Sequence, residues 1–213
     1  MPHKKKASGR RRSQAERRAN SELALLKAAV SVVARQGVAA VTFDAIGRKS
    51  GLSRGLVTQR FGSKQGLIDA AFSQLLNDQA NMLEEEDVPA RGGIDAVLAF
   101  VDASLRGLAA RDGGRAYVML LASAIADASA MRLRFAAAHA GIERQLKGWI
   151  AEGQREGEIR RELNAGAAAL MVGGLLLGLS IQVLLDPELR LDRIRGTILT
   201  ALRLSLAAPS RSA

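Results

Sequence analysis

The sequence predicts an all-α protein: an N-terminal three-helix head carrying a helix-turn-helix, a linking helix and a helical C-terminal body, about nine helices in all. Three observations lead there. Hydrophobic residues make up 48% of the 213-residue chain but aromatic residues only 3%, so the core must be built from Leu, Val, Ile and Ala. With four prolines in total, that composition favours helix over sheet. Apolar residues recur at steps of three and four, and glycines at Gly37, Gly51, Gly62 and Gly157 stop the runs where helices would be capped.

Taken in order, the first twenty residues, MPHKKKASGRRRSQAERRAN, hold eight basic residues and one acid, with almost nothing apolar. Such a segment cannot offset its ordering entropy and is expected to be a disordered basic arm over residues 1–20. It serves either as a solubilising tail or as an arm that follows DNA phosphates or enters the minor groove. From Ser21 the pattern is helical: Leu23, Leu26, Val30, Val33 and Ala34 repeat until Gly37. Thr42 can N-cap a short second helix, FDAIGRKS, that stops at Gly51; Ser53 can cap a third, RGLVTQRF, ended by Gly62. Ser63 then caps a long fourth helix through Leu67, Ile68, Ala71, Leu75 and Leu76. It fades into Glu84-Glu85-Glu86-Asp87, which with Val88-Pro89 reads as a hinge.

Body helices are expected over residues 94–110, 115–127, 131–156, 165–185 and 191–207. Asp112-Gly113-Gly114, Gly157-Glu158 and Asp186-Pro187 supply the stops between them. The resulting division is a basic arm over 1–20, an N-terminal helical unit over 21–67, a helical body over 68–209, and a tail over 210–213.

The charge distribution separates the two units. Residues 1–64 carry 15 Lys or Arg against 3 acids, Glu16, Glu22 and Asp44, whereas the remainder carries 16 against 18. A basic head on a near-neutral body points to a polyanion at one end only. Cysteine is absent, which removes disulfides and thiolate chemistry and suits a reducing compartment. The basic N-terminus runs into polar residues rather than an apolar signal core, so the reading is cytoplasmic and nucleoid-associated. The uncharged stretch over residues 165–185 is long enough to cross a bilayer. Its four glycines, its Gln182 and the amphipathic segment after it favour a buried soluble helix and no membrane partner, with a membrane-associated protein as the alternative.

Between Gly51 and Gly62 lies the most specific pattern. Two short helices joined by a tight glycine turn make a helix-turn-helix, whose second helix enters the DNA major groove. Leu52, Val57 and Phe61, with Ile46 opposite, suffice to anchor it. The base-reading candidates are Arg54 (bidentate to guanine), Gln59 (bidentate to adenine), Leu56 (apolar against a thymine methyl) and Thr58. Thr42, Lys49, Ser53, Arg60 and Lys64 stand at helix starts or flanks, where phosphate contacts fix register. The competing readings are an ordinary solvated face and a nucleoid protein that binds double-stranded DNA without sequence preference.

The run Gly37…Thr42-Phe-Asp-Ala-Ile46-Gly-Arg-Lys-Ser-Gly51-Leu-Ser53-Arg-Gly55…Phe61-Gly-Ser-Lys64-Gln-Gly-Leu67 resembles the N-terminal signature of the tetracycline-repressor (TetR) family. Its Gly55-Leu-Val-Thr-Gln-Arg-Phe61 segment is similar to the branch that includes the choline-responsive regulator of betaine synthesis. Many members have tyrosine where this chain has Thr58, an aromatic or histidine at Gln59 and Arg60, and alanine at Gly47. The resemblance implies a homodimeric regulator, most often a repressor, whose C-terminal domain binds a small-molecule effector and releases a palindromic operator.

It further implies a dimer face made of the last two long helices, with Gly174, Leu177, Gly178 and Ile181 on one and Ile198 and Leu202 on the other. Burial of both helices within one chain is the plain alternative. Effector-pocket candidates are Phe100, Tyr117, Met131, Phe135, His139 and Met171, which offer apolar bulk and an occasional polar tip, or are simply core. An enzyme finds no support: the only histidines are His3 and His139, and no phosphate-cradling loop or spaced set of metal ligands is visible. The Glu84 to Glu86 cluster reads as a solvated helix end, and no cofactor is expected.

Overall fold

The computed structural model describes residues 13–110, 112–186 and 188–209. The described residues form ten α-helices and no strand. The head holds α1 (Gln14–Gln36), a 3-10 turn (Val38–Ala40), α2 (Phe43–Ser50) and α3 (Arg54–Phe61). There follow α4 (Lys64–Glu85), α5 (Val88–Arg91), α6 (Gly93–Ala110), α7 (Asp112–Ala126), α8 (Met131–Glu156), α9 (Ala165–Leu185) and α10 (Leu191–Leu206).

Local side-chain chemistry sets the head's boundaries. The hydroxyl oxygens of Thr42, Ser53 and Ser63 accept the backbone N–H groups of Ala45, Leu56 and Gly66 at 3.1, 3.2 and 3.0 Å. Each satisfies one of the donors that a helix start leaves open. Gly51 (φ 71°) and Gly62 (φ 69°) end α2 and α3 in backbone conformations that cost other residues a steric penalty. Helix α1 starts earlier than the apolar periodicity suggests. Ser13 and Glu16 close a reciprocal capping box: Ser13 Oγ accepts the Glu16 N–H at 3.1 Å, and Glu16 Oε2 accepts the Ser13 N–H at 2.7 Å. The disordered arm expected over residues 1–20 is thus corrected: residues 14–20 are helical, and residues 1–12 lie outside the described residues.

Two hydrophobic cores lie along the molecule. The first takes Leu25, Val33, Ile46, Val57, Leu67 and Phe72 from the head and α4, and joins them to Ala116 and Leu120 of α7 and to Met131 and Phe135 of α8. The second packs Val97, Phe100 and Leu105 of α6 against Leu146, Trp149 and Ile150 of α8, Val172 of α9, and Leu202 and Leu206 of α10. Packing therefore runs across the expected boundary at residue 67, and the head shares its core with α7 and the start of α8. Helices α4 and α8 contribute to both cores, α4 through Phe72 and Leu83 and α8 through Phe135 and Trp149.

The expected hinge after α4 is instead the short α5, with Val88 fully buried in the second core. Arg106 of α6 holds this corner. It donates to Glu86 at 2.9 Å and to Asp102 at 3.0 Å, and Asp102 also accepts from Arg195 of α10 at 2.8 Å. The hydrogen bond to Glu86 raises the Arg106 pKa above its ordinary value. Asp112-Gly113-Gly114, read as a stop, is the first turn of α7. A Cβ on Gly114 would sit 2.8 Å from Leu108 Cδ2, so glycine there permits close α6–α7 packing.

Candidate nucleic-acid interface

A close backbone contact sets the angle of α3. The Leu52 N–H donates to the Gly47 carbonyl at 3.0 Å, and a Cβ on Gly47 would stand 2.9 Å from Leu52 O. Glycine in place of the alanine common in the resembling family thus lets α2 and the start of α3 come nearer. Ile46 and Val57, both fully buried, tie the pair to α1 and α4. The opposite side of α3, with Arg54, Gly55, Thr58 and Gln59, is exposed.

Arg54 extends from the first turn of α3 with a 68% exposed side chain, and its Nη1 lies 3.3 Å from Asp44 Oδ2. An exposed ion pair is worth about 0–1 kcal/mol, so Arg54 exchanges Asp44 for another acceptor at small cost. Thr58 Oγ1 donates to the Arg54 carbonyl at 3.2 Å, which leaves its oxygen lone pairs outward. Gln59 faces a cleft that it shares with Arg60, Gln14, Ala15 and Arg18 of α1. Thr42, Lys49, Ser53 and Lys64 are exposed around this face. Thr42 and Ser53 use their hydroxyl oxygens as caps, and Lys64 Nζ donates to the Ala39 carbonyl at 3.2 Å.

Two residues stand differently from expectation. Leu56 is half-buried against the head core rather than presented on the outer face. Arg60 has a 13% exposed side chain, lies 3.7 Å from Glu22 Oε2, and donates through Nη2 to the Arg18 carbonyl at 3.5 Å. It clamps α3 to α1 instead of standing free for a phosphate. Asp44, Glu22 and Arg18 complete this environment and were not singled out in the sequence. The signal for the two acids is opposite charge near the head's basic residues, whereas Arg18 takes part through its backbone carbonyl, which no side-chain pattern marks.

At the other end of the molecule, α9 is not the buried helix expected from its composition. Among its residues only Ala168, Ala169 and Val172 are buried. Its outward stripe is Ala167, Leu170, Met171, Gly174, Gly178, Ile181, Gln182 and Leu185, with Leu170 67% and Leu185 73% exposed. Nothing lies within 4 Å of a Cβ built on Gly174 or Gly178. The stretch is long and apolar enough to cross a membrane by length and composition. Leu177 is half-buried. On α10, Leu202 is 4% exposed and Ile198 packs partly against the second core, because that face of the amphipathic helix meets α6. The apolar positions that α10 turns outward are Ile194, Ala201 and Leu204, the last 70% exposed.

The effector-pocket candidates fall into three places. Tyr117, Met131 and Phe135 belong to the first core, with His139 stacked on Tyr117 at a centroid distance of 6.1 Å. Phe72 joins them, 4.4 Å from Phe135 and 6.2 Å from Tyr117. Burial pushes the Tyr117 hydroxyl up to about 12 and the His139 imidazole down from its ordinary value. Phe100 sits in the second core, 6.0 Å from Trp149. Met171 lies on the exposed stripe of α9 and lines neither core.

Residues 25–71 match the profile described as bacterial regulatory proteins, tetR family. The chain is 28% identical over 90 residues to the HTH-type transcriptional regulator BetI of Vibrio campbellii, covering 41% of this chain and 45% of that protein. It is 32% identical over 80 residues to BetI 2 of Chromohalobacter salexigens, covering 35% and 38% respectively. The matched stretch thus spans less than half the length of these relatives. In fold, the chain is similar to a transcriptional regulator of Saccharomonospora viridis solved in complex with choline, with a TM-score of 0.78 at 18% identity over 90% of this chain and 100% of that one.

Proposed function

We propose, from the match of residues 25–71 to the tetR family of bacterial regulatory proteins, that the protein is a member of that family and a cytoplasmic, homodimeric transcriptional regulator. It binds a palindromic operator as a repressor and releases it when a small molecule occupies the body. The observation that carries this reading is the polar face of α3: Arg54, Thr58 and Gln59 are exposed on an eight-residue helix that Ile46 and Val57 anchor in a strongly basic head. An arginine fork and a glutamine amide on one helix in the major groove can distinguish guanine and adenine edges.

One head reads only a few base pairs. Two heads, held one DNA turn or about 34–36 Å apart, convert weak half-sites into one specific site. The uncovered stripe of α9, with Gly174 and Gly178 for close approach, and the outward side of α10 are the proposed contact between copies. Leu202 is left out of it because it already faces its own core. Effector control works by population shift: a ligand that prefers one body conformation moves α4 and α8, which span both cores, and so changes the spacing of the heads.

Fluorescence anisotropy on a cognate and a scrambled duplex tests the reading. Arg54→Ala should cost about 1–3 kcal/mol on the cognate site and relax preference at one base position. Lys49→Ala should weaken both duplexes alike and lower the slope of log affinity against log salt by about one. Equal losses on the two duplexes for Arg54→Ala would remove it from base reading. Binding without sequence preference would favour a nucleoid-structuring protein, and a need for detergent would favour a membrane role for α9.

A further inference from the structure

We propose that the seam between the two cores is a binding site for an uncharged, mostly apolar small molecule with a hydrogen-bonding oxygen at each end, held by Ser104 of α6 and His139 of α8. This names the ligand class for the effector-responsive reading above and rests on it. Two side-chain atoms carry the inference. Ser104 Oγ and His139 Nε2 are buried and have no hydrogen-bond partner. Buried polar atoms are nearly always paired, so two orphans on neighbouring helices ask for a group that completes both.

Their placement fits a single ligand. The contact of Gly153 with Gly93 and the Phe100–Trp149 ring pair, at a centroid distance of 6.0 Å, set α6 antiparallel to α8. Ser104 is one turn beyond Phe100 on the same side of α6, and His139 lies almost three turns before Trp149. At a rise of 1.5 Å per residue the two polar atoms are on the order of 10 Å apart along the helix pair. One turn further along α6 and α8 are Leu108 and Ile142, which pack on the second core, and Tyr117 of α7, which packs on the first, stacks on His139.

The surroundings favour a neutral ligand over a cation. Among the described residues no polar or charged residue is buried, so the seam offers no carboxylate to offset a desolvated positive charge. An aromatic cage needs open ring faces. Here Tyr117 and Phe135 meet edge to face at 5.1 Å, and the Arg134 guanidinium already sits 5.2 Å over Phe72. Burial lowers the His139 pKa and so favours the neutral imidazole, which accepts or donates according to its tautomer.

Isothermal titration of the full chain with 4,4′-biphenol, 4-phenylphenol and choline tests the proposal. Biphenol, with a hydroxyl at each end, should bind more tightly than 4-phenylphenol, and choline should give no heat. Ser104→Ala and His139→Phe should each weaken biphenol about three- to tenfold, one neutral hydrogen bond apiece. Each should leave the ligand-free melting temperature unchanged or higher, because an orphaned polar atom has been removed. No biphenol binding, choline binding as tight as biphenol, unchanged affinity in both variants, or a lower melting temperature in both would overturn it. Operator anisotropy on the same preparations separates the two readings. Specific DNA binding without biphenol binding defeats this inference alone, whereas biphenol binding without specific DNA binding defeats the regulator.

Discussion

Replacing Phe72 by alanine should lower the unfolding free energy by about 3–5 kcal/mol, the range for emptying a buried aromatic site. Phe72 is 1% exposed and meets the rings of both Phe135 and Tyr117, while Arg134 covers its outer side. The cavity would open where α4 crosses from head to body, so neighbouring helices cannot collapse into it without moving the head. Arg134 also ties α8 to α4 through Asp69 at 3.0 Å and Ser73 at 2.8 Å, which resists that collapse further. Against a typical total of about 5–15 kcal/mol, such a loss is large. The urea midpoint of the purified variant reads it directly. A loss below about 1 kcal/mol would mean that head and body do not share one core.

The second large effect concerns association. Ile181→Glu should convert the proposed dimer to monomer at micromolar concentration and abolish tight operator binding, while the subunit stays folded. In the single chain Ile181 is 42% exposed, so a glutamate there meets water and costs the monomer little. In a two-fold contact the same residue is buried twice, once from each copy. At about 2 kcal/mol per unpaired charge the dimer loses about 4 kcal/mol, roughly a thousandfold in dissociation constant. Analytical ultracentrifugation gives the mass and circular dichroism the helicity. Leu202→Glu is the contrasting variant: Leu202 faces the second core, so that substitution should unfold the body. An undiminished dimer in Ile181→Glu would move the interface away from α9.

The parts of this architecture legible in the sequence are those set by neighbours in the chain. The caps at Thr42, Ser53 and Ser63 and the glycine ends at Gly51 and Gly62 depend on contacts within a few residues, and the structure has them where the pattern put them. The start of α1 was legible too, in the Ser13–Glu16 pair, but the polar composition of the first twenty residues pointed the other way. Arg60 could not be placed from its own helix, since its partner Glu22 belongs to α1. Leu56 lies on the flank of a helix so short that one buried residue, Val57, defines its inner side. Helix α9 is apolar all round, so periodicity does not say which side meets α8. Leu202 and Leu204 share α10 yet face opposite ways, and only packing against α6 separates them. Phe100 and Tyr117 both look like core, and the sequence has no means to say that two cores exist.

The central claim is that the outer face of α3 reads DNA sequence, in pairs. Genome-wide footprinting of the purified full-length protein tests it most directly. The account predicts protected sites that share an inverted repeat, with half-sites spaced by one helical turn, about 10 base pairs, or a multiple of it. Protection spread evenly over the genome, with no shared motif, would contradict it.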